Sequence, residues 1–304
     1  MPRASASERA PTVLVGLVGR GIQLSRTPFM HEAEGHAQGL AYVYRLIDTD
    51  RMGTPPPALA DIVRQAEFFG FSGLNVTFPY KQEILPLLDE LSPAARDLGS
   101  VNTVVLRDGR RIGHNTDMWG FRESFRQAMD GVPRDIVLLL GAGGAGAAVG
   151  FALLELGVGR LLVHDVEPSR AEALSARLET RFGAGRARPT AGLADAAAEA
   201  DGVVNATPVG MAKMEGTPLP PELVRADHWV GDVIYFPIET PLLRHARRLG
   251  CRTLSGEGMA IGQAARAFEL FTGLPADTER MRAAFAAFEA NATSPQAAEK
   301  RGLR

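Results

Sequence analysis

The sequence predicts an α/β protein of two domains, a prediction that rests on three observations. Apolar strand-like runs alternate with helical ones from Val13 to about Thr116, the pattern of an α/β layer with a largely parallel sheet. The alternation restarts at Ile136 and continues to Ile234, and a second βαβ series of this kind makes a doubly wound sheet. At 304 residues the chain is too long for one small core and suits two domains of ordinary size.

Met1 to Ala10 is polar and reads as a loose tail. The apolar run from Val13 to Gly19 is short and lacks a small-x-small cleavage site after it. That argues for a buried strand and against a signal peptide. A helix over Pro28 to Gln38 and a strand over Ala41 to Ile47 follow, then the break Thr54-Pro55-Pro56-Pro57 and a helix over Ala58 to Phe69. Gly73 to Val76 and Thr103 to Leu106 read as strands, with a helical run over Lys81 to Leu88 between them. Gly113 to Asp117 is turn-like. In the second series the strands are Ile136 to Leu140, Arg160 to His164, Gly202 to Asn205 and Trp229 to Ile234. Helices are expected over Ala145 to Leu156 and the alanine-rich Ala191 to Ala200. Met259, Ala260, Gln263, Ala264, Ala267, Phe268 and Phe271 recur near helical spacing, which predicts a helix that returns to the first domain. Asn291 to Arg304 reads as a second polar tail.

Composition narrows the class. Hydrophobic content of 45% and charged content of 22% are those of a soluble globular protein. A net charge of −2 gives no basic face for nucleic acid, and no apolar stretch approaches the roughly 20 residues of a membrane span. The single cysteine, Cys251, excludes an internal disulfide and a cysteine-based zinc cage, and suits a reducing cytoplasm. The six histidines show no His-x-x-x-His pair for a metal. The nucleophile elbow G-x-S-x-G of serine hydrolases is missing.

Two motifs carry chemistry. Ile136 to Leu140 runs directly into Gly141-Ala142-Gly143-Gly144-Ala145-Gly146 and an alanine-rich helix. This is G-x-G-x-x-G in a strand, turn, helix setting, where the glycines permit a tight turn and let the backbone approach a pyrophosphate. Asp165 ends the next strand about twenty residues on, where an acid holds the ribose 2′-hydroxyl of NAD and repels the 2′-phosphate of NADP. Asn205 to Met211 follows another strand as a turn at the sheet's carboxyl edge. The second motif ends in Lys81. Of 33 Lys+Arg only Lys81, Lys213 and Lys300 are lysine. A lysine retained after Asn75-Val76-Thr77-Phe78-Pro79-Tyr80 suggests a compact amine that gives up its proton, which a guanidinium does not do.

Together these motifs resemble the shikimate dehydrogenase family over nearly the whole chain. The matching segments are Leu24 to His31, Asn75 to Lys81, Gly99 to Thr103, His114 to Asp117, Gly141 to Gly146, Asn205 to Met211 and Gly256 to Gln263. The likeness is closer to the bacterial NAD-dependent quinate/shikimate dehydrogenases, because Leu-Ser-Arg-Thr-Pro replaces the commoner Ser-x-Ser-Pro and Asp165 stands where NADP-using members carry an Asn-Arg-Thr type sequence. Two departures are Leu24, where many biosynthetic members have His, and Gly262, where quinate-active relatives have His.

The resemblance implies an N-terminal substrate-binding and catalytic domain over residues 11–117 plus 258–290, a Rossmann NAD-binding domain over 118–257, and flexible tails at 1–10 and 291–304. It implies Lys81 and Asp117 as the catalytic pair, with Ser25, Thr27 and Tyr235 on the substrate carboxylate and Thr77, Asn102 and Gln263 on ring hydroxyls. For the cofactor it implies Gly141 to Gly146, Asp165, Arg170, Thr207, Pro208, Val233 and Gly256. The expected reaction is reversible, NAD-dependent oxidation of the C3 hydroxyl of quinate or shikimate, by a cytoplasmic monomer or homodimer with no nucleic-acid or membrane partner. Alternatives are an NADP-dependent shikimate dehydrogenase of aromatic biosynthesis and, from another class, a non-catalytic sensor of the same ligands.

Overall fold

A computed structural model describes residues 10–292. The tails expected at 1–10 and 291–304 therefore lie, apart from Ala10, Asn291 and Ala292, outside the described residues. In chain order the strands and α-helices are β1 (Thr12–Gly19), α1 (Thr27–Ala37), β2 (Ala41–Asp48), α2 (Leu59–Phe68), β3 (Gly73–Val76), β4 (Glu90–Leu91), α3 (Pro93–Leu98), β5 (Thr103–Arg107) and β6 (Arg110–His114). They continue as α4 (Thr116–Ala128), β7 (Ile136–Leu140), α5 (Gly144–Glu155), β8 (Arg160–His164), α6 (Pro168–Phe182), β9 (Ala187–Pro189) and α7 (Leu193–Glu199). The last are β10 (Gly202–Asn205), β11 (Trp229–Asp232), α8 (Pro241–Arg248), β12 (Arg252–Leu254), α9 (Gly256–Thr272) and α10 (Thr278–Ala292).

The chain forms two compact units. Among the described residues the first comprises 10–91, 101–114 and 264–292, and the second 92–100 and 115–263. The C-terminal part of α9, with α10, thus returns to the first unit, as the apolar spacing of its sequence predicts.

In the first unit the sheet order is β2-β1-β3-β5-β6-β4. β1 pairs in parallel with β2 and β3, whereas β3–β5 and β5–β6 are antiparallel. The antiparallel part comes from a hairpin whose turn residues Asp108 and Gly109 both have positive φ, 53° and 70°, the geometry of a two-residue turn matched to strand twist. The helix expected over Lys81 to Leu88 is instead a single turn closed by Ile84 N–H to Tyr80 O at 3.0 Å, followed by a 3₁₀ turn over Leu85–Leu87. Pro86, inside this stretch, has no N–H to extend an α-helical ladder.

His31 sits in the core of this unit. It is fully buried, hydrogen-bonded through Nδ1 to the Tyr42 hydroxyl at 2.9 Å, and ringed by Tyr44, Phe268 and Phe271. Burial pushes its imidazole down to about 3, against about 6.5 for an unfolded histidine. The folded state therefore binds fewer protons than the unfolded one in this interval. The stability contributed by neutral His31 is complete above pH 6.5 and is lost as pH falls towards 3, at up to about 1.4 kcal/mol per pH unit. Between pH 6.5 and 4.5, wild-type stability measured by denaturant titration should fall more steeply than that of His31→Gln. Equal slopes would exclude His31 as the source.

In the second unit the sheet is parallel, in the order β12-β11-β10-β7-β8-β9. Both faces are buried, as an all-parallel sheet requires: Val137 and Leu139 point into one core cluster, Leu138 and Leu140 into another. This is the doubly wound order, and its crevice opens where β7 and β10 lead their chains to opposite sides. Among the described residues no helix is long and apolar enough to cross a membrane.

Candidate active site

In the first unit, one edge of the sheet carries Thr77 and Asn102, two of the residues expected to bind substrate. Val18 lies opposite Val76 and Asn75 opposite Thr103, so the ends of β1 and β3 and the start of β5 share that edge. The loop after β1 is pinned by Asp48, a buried carboxylate at the end of β2. It accepts hydrogen bonds from the Gly21, Ile22 and Asp50 N–H groups at 3.0, 3.2 and 3.2 Å and from Gln23 Nε2 at 2.9 Å. Burial by itself raises the pKa of Asp48, but these donors hold it below the usual carboxylate range.

The pinned loop delivers Ser25 and Thr27 side by side: Ser25 Oγ donates to Thr27 Oγ1 at 3.2 Å and accepts from the Thr27 N–H at 3.4 Å. Both precede the body of α1, whose start has no side-chain cap. Paired hydroxyls at a positive helix end suit a carboxylate. Thr77 donates its N–H to Val18 O at 3.0 Å and accepts from the Tyr80 N–H at 2.9 Å, while the Tyr80 hydroxyl donates to Thr49 Oγ1 at 2.8 Å. The Lys81 carbonyl accepts from the Val101 N–H at 2.8 Å, which ties Lys81 to the residue beside buried Asn102.

In the second unit, Asp117 is not in a turn but in the first turn of α4. Asn115 caps that helix, accepting from the Asp117 and Met118 N–H groups at 3.1 and 3.3 Å and donating to Ser100. An acid in a first turn meets the positive end of the helix. Helix α9 crosses α4 closely: a Cβ on Gly120 would stand 2.7 Å from Gln263 N, and one on Gly262 2.9 Å from Gly120 Cα. The glycine at 262 is therefore a packing requirement of this crossing, which seats Gln263 against α4.

The glycine loop fits a dinucleotide. Gly141 has φ +97°, and a Cβ there would meet the Ala206 carbonyl at 2.9 Å, so the loops after β7 and β10 touch across the crevice. A Cβ on Gly146 would meet Gly141 O at 1.9 Å, whereas at Gly143 and Gly144 it would meet no protein atom. The first and third glycines of the motif thus serve the fold, while the second keeps space open at the uncapped start of α5. Asp165 borders that space, accepting from the Ala142 N–H at 2.7 Å and the Glu167 N–H at 3.0 Å, with lone pairs remaining for ribose hydroxyls. Arg170 is engaged elsewhere, 2.7 Å from Glu167 across an exposed i,i+3 pair.

Asn205, which opens the turn singled out in the sequence, and Asp232, which sequence reasoning passed over, hold the loops after β10 and β11. Asn205 is fully buried. Its Oδ1 accepts from the Thr207 N–H and hydroxyl at 2.9 and 2.7 Å, and its Nδ2 donates to Val209 O and Asp232 Oδ1, both at 3.1 Å. Asp232 also accepts from the Ile234 N–H at 3.0 Å and the Thr240 hydroxyl at 2.8 Å. Burial pushes its carboxyl up to about 6, opposed by these three donors. The signal available in sequence was a polar residue ending each apolar strand. Together they seat Thr207 and Pro208 after β10, and Val233 with half-exposed Tyr235 after β11. Gly256 closes the set: a Cβ there would lie 2.2 Å from Val233 O.

Comparison with known proteins agrees with this geometry. The shikimate dehydrogenase substrate binding domain matches residues 17–104, and the shikimate 5′-dehydrogenase C-terminal domain matches residues 256–284. A protein of Streptomyces avermitilis named shikimate dehydrogenase (NADP(+)) is 52% identical, covering 89% of this chain and 94% of its own. One of Corynebacterium efficiens named quinate/shikimate dehydrogenase (NAD(+)) is 51% identical, covering 90% and 98%. The solved structure of quinate dehydrogenase from Corynebacterium glutamicum in complex with NAD superposes with a TM-score of 0.88 at 49% identity, over 91% of this chain and 99% of that one. With half of its residues shared over nine-tenths of its length, and with the sheet-edge and glycine-loop geometry in place, the chain belongs to the shikimate dehydrogenase family.

Proposed function

We propose that the protein is an NAD-dependent dehydrogenase that reversibly oxidises the C3 hydroxyl of quinate or shikimate to the 3-keto acid. The observation that carries the cofactor choice is Asp165, a carboxylate beside the glycine loop, together with the pairing of Arg170 to Glu167. A carboxylate there accepts from a ribose hydroxyl and repels a 2′-phosphate. The Streptomyces relative favours a second reading, an NADP-dependent shikimate dehydrogenase, and a cofactor assay separates the two.

In this reading residues 11–117 plus 258–290 bind substrate and perform catalysis, and 118–257 bind the cofactor. When bound, NAD takes up the hydride from C3. Lys81 accepts the hydroxyl proton as the general base, and Asp117 orients the amine and the hydroxyl. Ser25, Thr27 and Tyr235 hold the carboxylate, and Thr77, Asn102 and Gln263 hold ring hydroxyls. Gly141 to Gly146, Thr207, Pro208, Val233 and Gly256 line the cofactor. The reading extends to a cytoplasmic enzyme acting as a monomer or homodimer, in keeping with a single thiol, Cys251, that is buried.

The wild-type enzyme should show a higher kcat/KM with NAD than with NADP on either acid; a preference for NADP sinks the cofactor reading. Asp165→Asn keeps an oxygen to accept from Ala142 but removes the charge. It should narrow the preference for NAD by about tenfold, the size of one lost charge–charge discrimination.

A further inference from the structure

Asn102 stands at the end of a directed chain of buried side chains. The Tyr44 hydroxyl donates to Asn75 Oδ1 at 2.7 Å, Asn75 Nδ2 donates to Thr103 Oγ1 at 3.0 Å, and the Thr103 hydroxyl donates to Asn102 Oδ1 at 3.1 Å. All four residues are buried, Thr103 completely. The direction of the chain is set by its surroundings. Asn75 Nδ2 also faces the main-chain oxygen of Asn102 at 3.3 Å, and a carbonyl oxygen only accepts, so the NH2 of Asn75 must be on that side. Its Oδ1 then receives the phenol. Burial raises the Tyr44 pKa well above its usual value, which keeps the phenol a donor. The Thr103 hydroxyl accepts from Asn75 and donates to Asn102 Oδ1.

We infer that Asn75 and Thr103 are positioning residues for the reaction: their one-way relay holds the Asn102 amide with its oxygen towards Thr103, so that its NH2 is the group offered to a ring hydroxyl of the substrate. A free amide has two near-equivalent orientations, and the wrong one presents an acceptor where a donor is needed. The relay removes that ambiguity before substrate arrives. It also separates Asn102 from its apparent equals in the sequence, because an exposed asparagine in a turn has no such enforced polarity.

This inference rests on the reading that Asn102 binds substrate, and the experiment separates the two. KM and Kd for shikimate, KM for NAD and Tm are measured for Thr103→Val, Thr103→Ser, Asn102→Ala and the double variant Asn102→Ala/Thr103→Val. Thr103→Val, which keeps shape and loses the hydroxyl, should raise KM and Kd for shikimate about tenfold, the usual worth of one oriented hydrogen bond, and leave the KM for NAD unchanged. Thr103→Ser should restore both. In the Asn102→Ala background Thr103→Val should have no further effect on shikimate, because the group it orients is gone. An equal loss in that background overturns the relay, as does a fall in Tm with no change in shikimate KM. If Asn102→Ala itself leaves shikimate binding unchanged, the reading of Asn102 fails and the relay falls with it. Should Thr103→Val not fold, Thr103→Ala, which also removes the hydroxyl, carries the same cycle.

Discussion

Lys81→Ala should lower kcat by about 10²–10⁴ with a smaller change in KM, the usual worth of an acid/base group. Oxidation of a secondary alcohol leaves a proton that has to be taken up as the hydride departs, and the amine of Lys81 is the base assigned to that step. The Lys81 carbonyl accepts from the Val101 N–H and the neighbouring Tyr80 side chain bonds Thr49; neither contact uses the Lys81 side chain, so Lys81→Ala should keep its Tm. The decisive companion is Lys81→Arg. A guanidinium keeps the positive charge but does not release its proton, so the arginine variant should be as slow as the alanine variant. Recovery of activity in Lys81→Arg would show that the position contributes charge alone, and a near-native kcat in Lys81→Ala would remove it from the mechanism.

Alanine in the glycine loop should give two opposite results. At Gly146 the added methyl would overlap Gly141 O, a backbone atom 1.9 Å away, so the loop or the helix has to move. Gly146→Ala should lose about 1–3 kcal/mol of stability and bind NAD poorly. At Gly143 the methyl meets no protein atom and φ is −75°, which alanine adopts freely. Gly143→Ala should keep its Tm, with any change within about 0.5 kcal/mol, yet lose tenfold or more in NAD affinity, because the methyl fills space that the pyrophosphate needs. Thermal unfolding without cofactor and calorimetric titration with NAD measure the two effects. Normal NAD binding by Gly143→Ala would mean that the open space is not the cofactor's.

Local rules made much of this legible in advance. β3, β7, β8 and β10 have the bounds their apolar runs predict, and the glycine loop opens α5 as its motif requires. The β5–β6 hairpin escaped notice because β6, Arg110-Arg111-Ile112-Gly113-His114, is too polar to read as a strand. Its only local mark is Asp108-Gly109, a known hairpin dipeptide. Asp117 looked like part of a turn because Asn115, which caps α4, is also a turn residue; only the hydrogen bonds it makes decide between the two. The roles of Asn205, Asp232 and Thr103 depend on partners from 1 to 28 residues away in the chain, the farther ones brought close by strand pairing that no local window contains.

The exposed pair between Glu167 and Arg170 has a consequence for descent. The arginine that an NADP enzyme would recruit is already present, one helical turn beyond Asp165, and is occupied by a neighbouring glutamate. Loss of two carboxylates, at 165 and 167, would both lift the repulsion and release the guanidinium. Relatives sharing 52% and 51% of their residues with this chain bear names with different cofactors.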